Sequence, residues 1–274
     1  MIRKLYLLNE KGVSFMFDYT TQVLISELDG LGFSHDISYL KYGNFYFSVD
    51  KEHPLTKVTA RLTFLNGYKG YTDLLDFLKG SQTLELHYSA NGTKYCYIEI
   101  ESIDKKELIA GTLQCLVTFD KLSPWLRKST LLIDLEENMQ GKIYPHTYPH
   151  NYSVTFEGKT TLNNSGNYKA FIRVEISGAV TNPEINIYQN NQVVTSMKLN
   201  VESEFCEITV DPNPMQQVIE MTENGQTRNI YHEQDFTRDN FLKVDPGLFE
   251  IEFKPGVSES ILCRVILTEV FTGH

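Results

Sequence analysis

The sequence predicts a mainly β protein in two domains, the second an antiparallel sandwich or jelly roll. Three observations carry that expectation. Strand-favouring residues are abundant, with 16 Tyr and 16 Phe among 274 residues. Short alternating runs separated by Gly, Asn and Pro recur along the whole chain. Only one segment has a convincing helical stripe, and a polar stretch over residues 127–151 divides the chain into halves of ordinary domain size.

The elements follow in order. "KLYLL" leads into "VSFMF", and "ISYLKYGNFYFSVD" holds two strand-like pieces around Gly43-Asn44, with Phe45 and Phe47 on one face and Tyr46 on the other. "KVTARLTF" alternates cleanly: Val58, Ala60, Leu62 and Phe64 on one side, Thr59, Arg61 and Thr63 on the other. "YTDLLDFLKGSQ" predicts a two-turn helix with Thr72 as N-cap, a Leu74, Leu75, Leu78 stripe and Gly80 as its C′ stop. "LELHYSANGTKYCYIEIES" predicts a hairpin with a type I′ turn at Asn91-Gly92. "ELIAGTLQCLVTFD" adds another strand or pair, ended at Pro124.

Residues 127–151 read as a connector, polar and Pro-punctuated around one short apolar piece, Leu131 to Leu135. About eight strands follow, from "YSVTFEG" to "ILCRVILTEVF", with turns at Asn190-Asn191, Asn224-Gly225 and Pro255-Gly256. Eight short strands with no helix call for a sandwich or jelly roll.

Charge narrows the function classes. Residues 1–145 carry a balance of −2 and residues 146–274 a balance of −8, within a net charge of −10. No basic stripe offers a nucleic acid its phosphate contacts. Cys96, Cys115, Cys206 and Cys263 each sit in an apolar or alternating run, with no CxxC, and read as buried free thiols of a reducing compartment. The apolar patch after the first basic residues is too short for a signal sequence, and no run approaches the roughly 18 residues of a membrane span. The expectation is a soluble, non-secreted chain.

No residue pattern nominates an active site, a metal or a cofactor. His146 and His150 lie four apart in "YPHTYPHNY", but Pro145 and Pro149 forbid the helix that would join them, and an extended chain holds them about 13 Å apart. "GVSESIL" has Ser260 where a nucleophile elbow needs Gly. Gly67, Lys69 and Gly70 precede a helix without the phosphate-loop pattern. Glu99 with Glu101, and Glu250 with Glu252, fit the solvent face of antiparallel strands. The aromatics that invite an interface or packing role are Phe45, Tyr46, Phe47 and Trp125. A carbohydrate-binding sandwich for host-surface glycans is the alternative reading. It would need a row of exposed Tyr or Trp, and the second half contains no Trp.

Two stretches resemble a known family. "LNNSGNYKAFIRVEISGAVTNPEINIY", 162–188, opens on an Asn-x-Gly-Asn turn and enters its second strand through Thr181-Asn182-Pro183. It is similar to the start of the C-terminal domain of distal tail proteins from long, flexible-tailed bacteriophages. "TFDKLSPWLRKS", 118–129, resembles the end of that family's N-terminal domain. "NFLKVDPGLFEIEF" and the final "VILTEVF" resemble its late strands.

The resemblance implies a β-sandwich or split barrel with one short helix and a protruding hairpin over 1–128. A connector over 129–151 and a galectin-like antiparallel β-sandwich (jelly roll) over 152–274 would follow. It implies a homo-hexameric ring at the virion tail tip, assembled in the host bacterial cytoplasm and passing DNA without specific binding. Its implied partners are the tail tube protein, the tape-measure end, a fibre or lysin protein, and receptor-binding or baseplate proteins. No catalysis, cofactor or membrane insertion is implied. Tyr144, Pro145, Tyr148 and Pro149 then mark the seam between the domains, where X-Pro bonds favour extended backbone.

Overall fold

Val58, Ala60, Leu62 and Phe64 are all buried, and the strand that carries them, β6 (Thr56–Phe64), anchors the first half of the chain. The computed structural model describes residues 3–90, 92–133, 136–138, 155–257 and 261–273. Its contacts divide the chain into unit 1, Met1–Arg127 with Phe271–His274, and unit 2, Lys128–Val270.

In unit 1, β6 lies between β3 (Val23–Asp29) and β9 (Leu113–Lys121), antiparallel to both. β9 pairs next with β8 (Thr93–Lys105), a 13-residue strand that serves two ladders. Residues Ile98–Lys105 of β8 pair with β9, and Thr93–Ile98 pair with β7 (Leu84–Ser89). Ile98 pairs in both ladders, and a register shift between Ile100 and Ser102 marks an irregularity just inside the β9 ladder. β7 continues into β1 (Lys4–Asn9) and β2 (Ser14–Met16). Both halves point apolar faces at one cluster: Leu5, Leu7, Leu86 and Cys96 from one, Val23, Leu62, Val117 and Phe119 from the other. Burying each such side chain contributes about 1.5–3 kcal/mol.

α1 (Tyr68–Lys79) starts four residues before the predicted N-cap. Gly67 is the cap at φ 60, a left-handed conformation that glycine adopts freely, and a Cβ there would lie 2.9 Å from Leu108 Cδ1. Thr72 is interior, its hydroxyl donating to the Tyr68 carbonyl at 3.0 Å. Leu74 is buried, but Leu75 is exposed, so the stripe is completed by Tyr71, Phe77 and Leu78. Gly80 ends the helix at φ −83, with no left-handed C′ residue. The β7–β8 turn also differs from expectation. Ser89 pairs with Thr93, leaving a three-residue loop with Gly92 at φ 89 in place of a two-residue type I′ turn. Asn91 lies outside the described residues.

β10 (Trp125–Ile133) begins directly after Pro124 and takes residues 129–133 of the expected connector into strand. Among the described residues, β4 (Asp36–Tyr42) and β5 (Phe45–Glu52) pair only with each other.

Unit 2 is a two-sheet sandwich. One five-stranded sheet runs β11 (Glu136–Asn138), β12 (Thr155–Asn164), β20 (Gly247–Lys254), β14 (Glu184–Gln189), β15 (Gln192–Lys198). The other runs β18 (Gln226–Asn229), β17 (Val218–Glu223), β16 (Glu202–Asp211), β13 (Ala170–Thr181), β21 (Leu262–Phe271), with the short β19 (Lys243–Val244) on β13. Ile185, Ile187, Phe249, Ile251 and Phe253 face Ile172, Val174, Ile208, Val210 and Val265 in one cluster. Asn190-Asn191 and Asn224-Gly225 form the predicted tight turns, all four at positive φ. At the third, Gly256 (φ 78) has its α-carbon so close to the chain that a Cβ would lie 1.8 Å from the Thr181 carbonyl. The four cysteines are free and buried, and burial pushes the Cys96 and Cys263 thiols up to about 12.

Candidate functional site

Every residue of β4 and β5 is exposed, although eight of their fifteen are large and apolar. A hairpin with an unpartnered surface on both faces is the feature of unit 1 that folding alone does not explain. Gly43, at φ 61, occupies the first central position of the tight turn, as a type II′ hairpin requires. Opposite residues share a face, so the register sorts the side chains. Tyr42 pairs with Phe45 and Leu40 with Phe47, giving one apolar face. Lys41 pairs with Tyr46 and Tyr39 with Ser48, giving a mixed face on which the Lys41 ammonium lies 5.8 Å from the Tyr46 ring centre. A register shift beside Tyr39 leaves Val49 as the extra, bulged residue.

The exposures are 77% for Tyr42, 71% for Phe45, 66% for Tyr46 and 55% for Phe47. Aromatics in one contiguous hairpin at such exposure are the composition of an interface core. The sequence reading named Phe45, Tyr46 and Phe47 and placed their faces as found. Tyr39, Leu40 and Tyr42 join them on the same hairpin and were not singled out from the sequence.

Trp125 is a packing residue. It is fully buried, and its indole N–H donates to the Leu31 carbonyl at 3.1 Å. Tyr144, Pro145, Tyr148 and Pro149, with His146, His150 and Ser260, lie outside the described residues. Lys69 pairs with Asp73 at 2.7 Å, one turn into α1. Glu99 and Glu101 are exposed as expected.

Glu252 is not on a solvated face: it is 4% exposed. Its carboxylate accepts from the Tyr188 hydroxyl at 2.8 Å and from Asn186 Nδ2 at 3.3 Å. Lys159 and Lys254 lie against it at 3.0 and 3.1 Å. Burial raises its pKa, but these donors outweigh burial and hold the carboxyl down at about 2. A general acid needs the opposite shift. Among the described residues, no group of three or more His, Cys, Asp or Glu side chains is placed to hold a metal. No helix among them is long and apolar enough to cross a membrane.

Residues 4–122 match the family model of the distal tail protein, N-terminal domain. No curated protein matches the chain in sequence. Among solved structures, the fold is similar to a chain of the phage P2 baseplate in its activated conformation with calcium. The TM-score is 0.67 at 16% identity, covering 98% of each chain. The strontium form of that baseplate gives 0.66 at 16% identity, over 97% of this chain and 98% of that one. SPP1 Dit, described as a paradigm of hub adsorption apparatus in phages infecting Gram-positive hosts, gives 0.61 at 12% identity, over 98% and 99%.

Proposed function

We propose, on the premise that residues 4–122 are a distal tail protein N-terminal domain and the chain a structural component of a phage tail, that six copies close into a ring at the tail tip. The observation that carries this is the β4–β5 hairpin, whose large apolar side chains are left exposed outside the core of unit 1. A ring needs one surface of each copy to fit a different surface of the next, and no catalytic group.

In this reading unit 1 continues the tail tube and passes DNA. Its near-neutral charge supports passage without retention, because neutralised phosphates would bind tightly and without regard to sequence. Unit 2, the more acidic part, is the docking side for fibre, receptor-binding or baseplate proteins, with the tape-measure end inside the ring. Assembly takes place in the host cytoplasm, where buried free thiols are stable.

The test is solution mass by light scattering on a sizing column across micromolar concentrations. Six copies of the 31.5 kDa chain weigh about 190 kDa. A closed species at that mass supports the ring. A chain that stays monomeric at every concentration, or stops at a dimer, overturns it.

A further inference from the structure

The apolar stripe of β9 ends on a charge. Leu113, Cys115, Val117 and Phe119 point into the core of unit 1, and the two-residue period puts Lys121 on the same face. Lys121 is buried, at 8% exposure. Its cross-strand partner is Thr56, which opens the inward stripe of Val58, Ala60 and Leu62 on β6. Opposite residues share a face, so the Lys121 and Thr56 side chains are neighbours. The Thr56 hydroxyl oxygen is buried without a hydrogen-bond partner.

No acid neutralises Lys121. Among the described residues its ammonium makes no ion pair and no hydrogen bond, and the contact it does make is with the Trp125 ring, whose centre lies 6.0 Å away. Asp120, its neighbour in sequence, points to the other face of the strand and lies 3.8 Å from the Lys57 ammonium. Cys96 is close enough to feel the charge, but burial pushes its thiol up to about 12, so it stays protonated. The Ser123 hydroxyl is already used: it accepts from the Tyr97 N–H and donates to the Pro124 carbonyl, both at 2.9 Å. Burial accordingly holds the Lys121 pKa below the ordinary lysine value. An uncompensated buried charge costs stability, which a counter-ion brought from outside would recover.

Lys121 and Thr56 line a pocket of about 220 Å³. That is below the ~300–1,000 Å³ of sites that take whole small molecules, yet it has room for one side chain. Its rim is apolar: Phe33 and Leu55 are each 64% exposed, and Leu122 and Pro124 complete it. A buried charge inside an apolar rim is the anatomy of an interface hot spot, where the rim keeps water from the pair at its centre. We infer that this pocket is a socket for one acidic side chain, Asp or Glu, flanked by apolar residues on a segment of a different protein, with Lys121 as its counter-ion and Thr56 as a hydrogen-bond donor. The socket is complete in a single copy, so the inference does not depend on the ring reading.

The experiment reads the emission of Trp125, the only tryptophan, beside the Lys121 ammonium. The purified full chain is titrated at pH 7 with an end-blocked peptide of sequence Ala-Leu-Glu-Leu-Ala. A saturable change in emission is expected, with binding about tenfold weaker when Gln replaces the Glu of the peptide. Lys121→Met keeps the apolar stem and removes the charge. It is expected to lose the response and to unfold at a temperature equal to or above that of the wild type. Equal binding of the two peptides, no response at all, or an unchanged response in Lys121→Met overturns the inference. So does a Lys121→Met chain that unfolds at a lower temperature, since the ammonium would then already have its counter-ion. A response to oligothymidylate in place of the peptide overturns it in favour of a nucleic-acid phosphate. An emission that changes with protein concentration alone overturns it in favour of a second copy.

Discussion

His35 and His53 face each other at the neck of the hairpin, their ring centres 4.4 Å apart. They flank the last paired residues, Asp36 and Glu52, so both strands enter the body of unit 1 through this contact. The Phe33 ring meets His35 edge-on at 5.4 Å. Burial, then the charges of Lys51 and His53, hold the His35 pKa below the ordinary histidine value. Two imidazolium ions cannot share this neck without repulsion.

The sign of the pH effect follows. An open neck takes up the proton near the ordinary pH of about 6.5, before the closed neck does. The closed neck is therefore unaffected well above that pH and loses stability as pH falls through it. A proton NMR titration is expected to put the His35 midpoint below that of a free histidine, and His53→Gln to raise it. A His35 midpoint at or above the ordinary value would contradict the closed contact.

Glu252 is expected to make unit 2 acid-sensitive. Its folded pKa of about 2 lies below the unfolded value, so its contribution is present above about pH 4.5 and is lost as pH falls toward 2. Glu252→Gln should cost about 2–3 kcal/mol at pH 7 and flatten the pH dependence over that window. Urea unfolding at pH 7, 4 and 2.5 checks both. Equal pH slopes in the two proteins would remove Glu252 from the account.

Phe47→Ser should leave the fold intact. Phe47 is exposed and lies outside both cores, so the urea midpoint should change by no more than about 0.5 kcal/mol. Association should be lost in the same sample. A large loss of stability would mean that the hairpin packs on its own chain.

Trp125→Ala should behave in the opposite way, costing about 3–5 kcal/mol through the cavity it leaves. Since Trp125 is the only tryptophan, wild-type emission reports unit 1 unfolding directly. A blue-shifted native spectrum that moves red with denaturant is the expected signal. A red native spectrum would contradict the burial.

Much of the fold was legible in residue order. The alternation of Val58, Ala60, Leu62 and Phe64, and of the strands of unit 2, follows from the two-residue period of a strand with one face in a core. The Asn190-Asn191 and Asn224-Gly225 turns were readable because few residues accept positive φ. The helix start was not readable at Thr72, because Gly67 and Gly70 suit the close approach of Leu108 and Asn66, a tertiary demand invisible to propensity.

The candidate site divides in the same way. Sequence by itself determined two strand-like pieces around Gly43-Asn44, with Phe45 and Phe47 on one face and Tyr46 on the other, since strand geometry is local. Only the tertiary structure decided that this hairpin leaves the core while Trp125 enters it, and that Glu252 is buried among Lys159, Tyr188 and Lys254. The physical reason is that alternation records which residues share a face. Whether that face meets a core, a partner or water depends on elements distant in sequence.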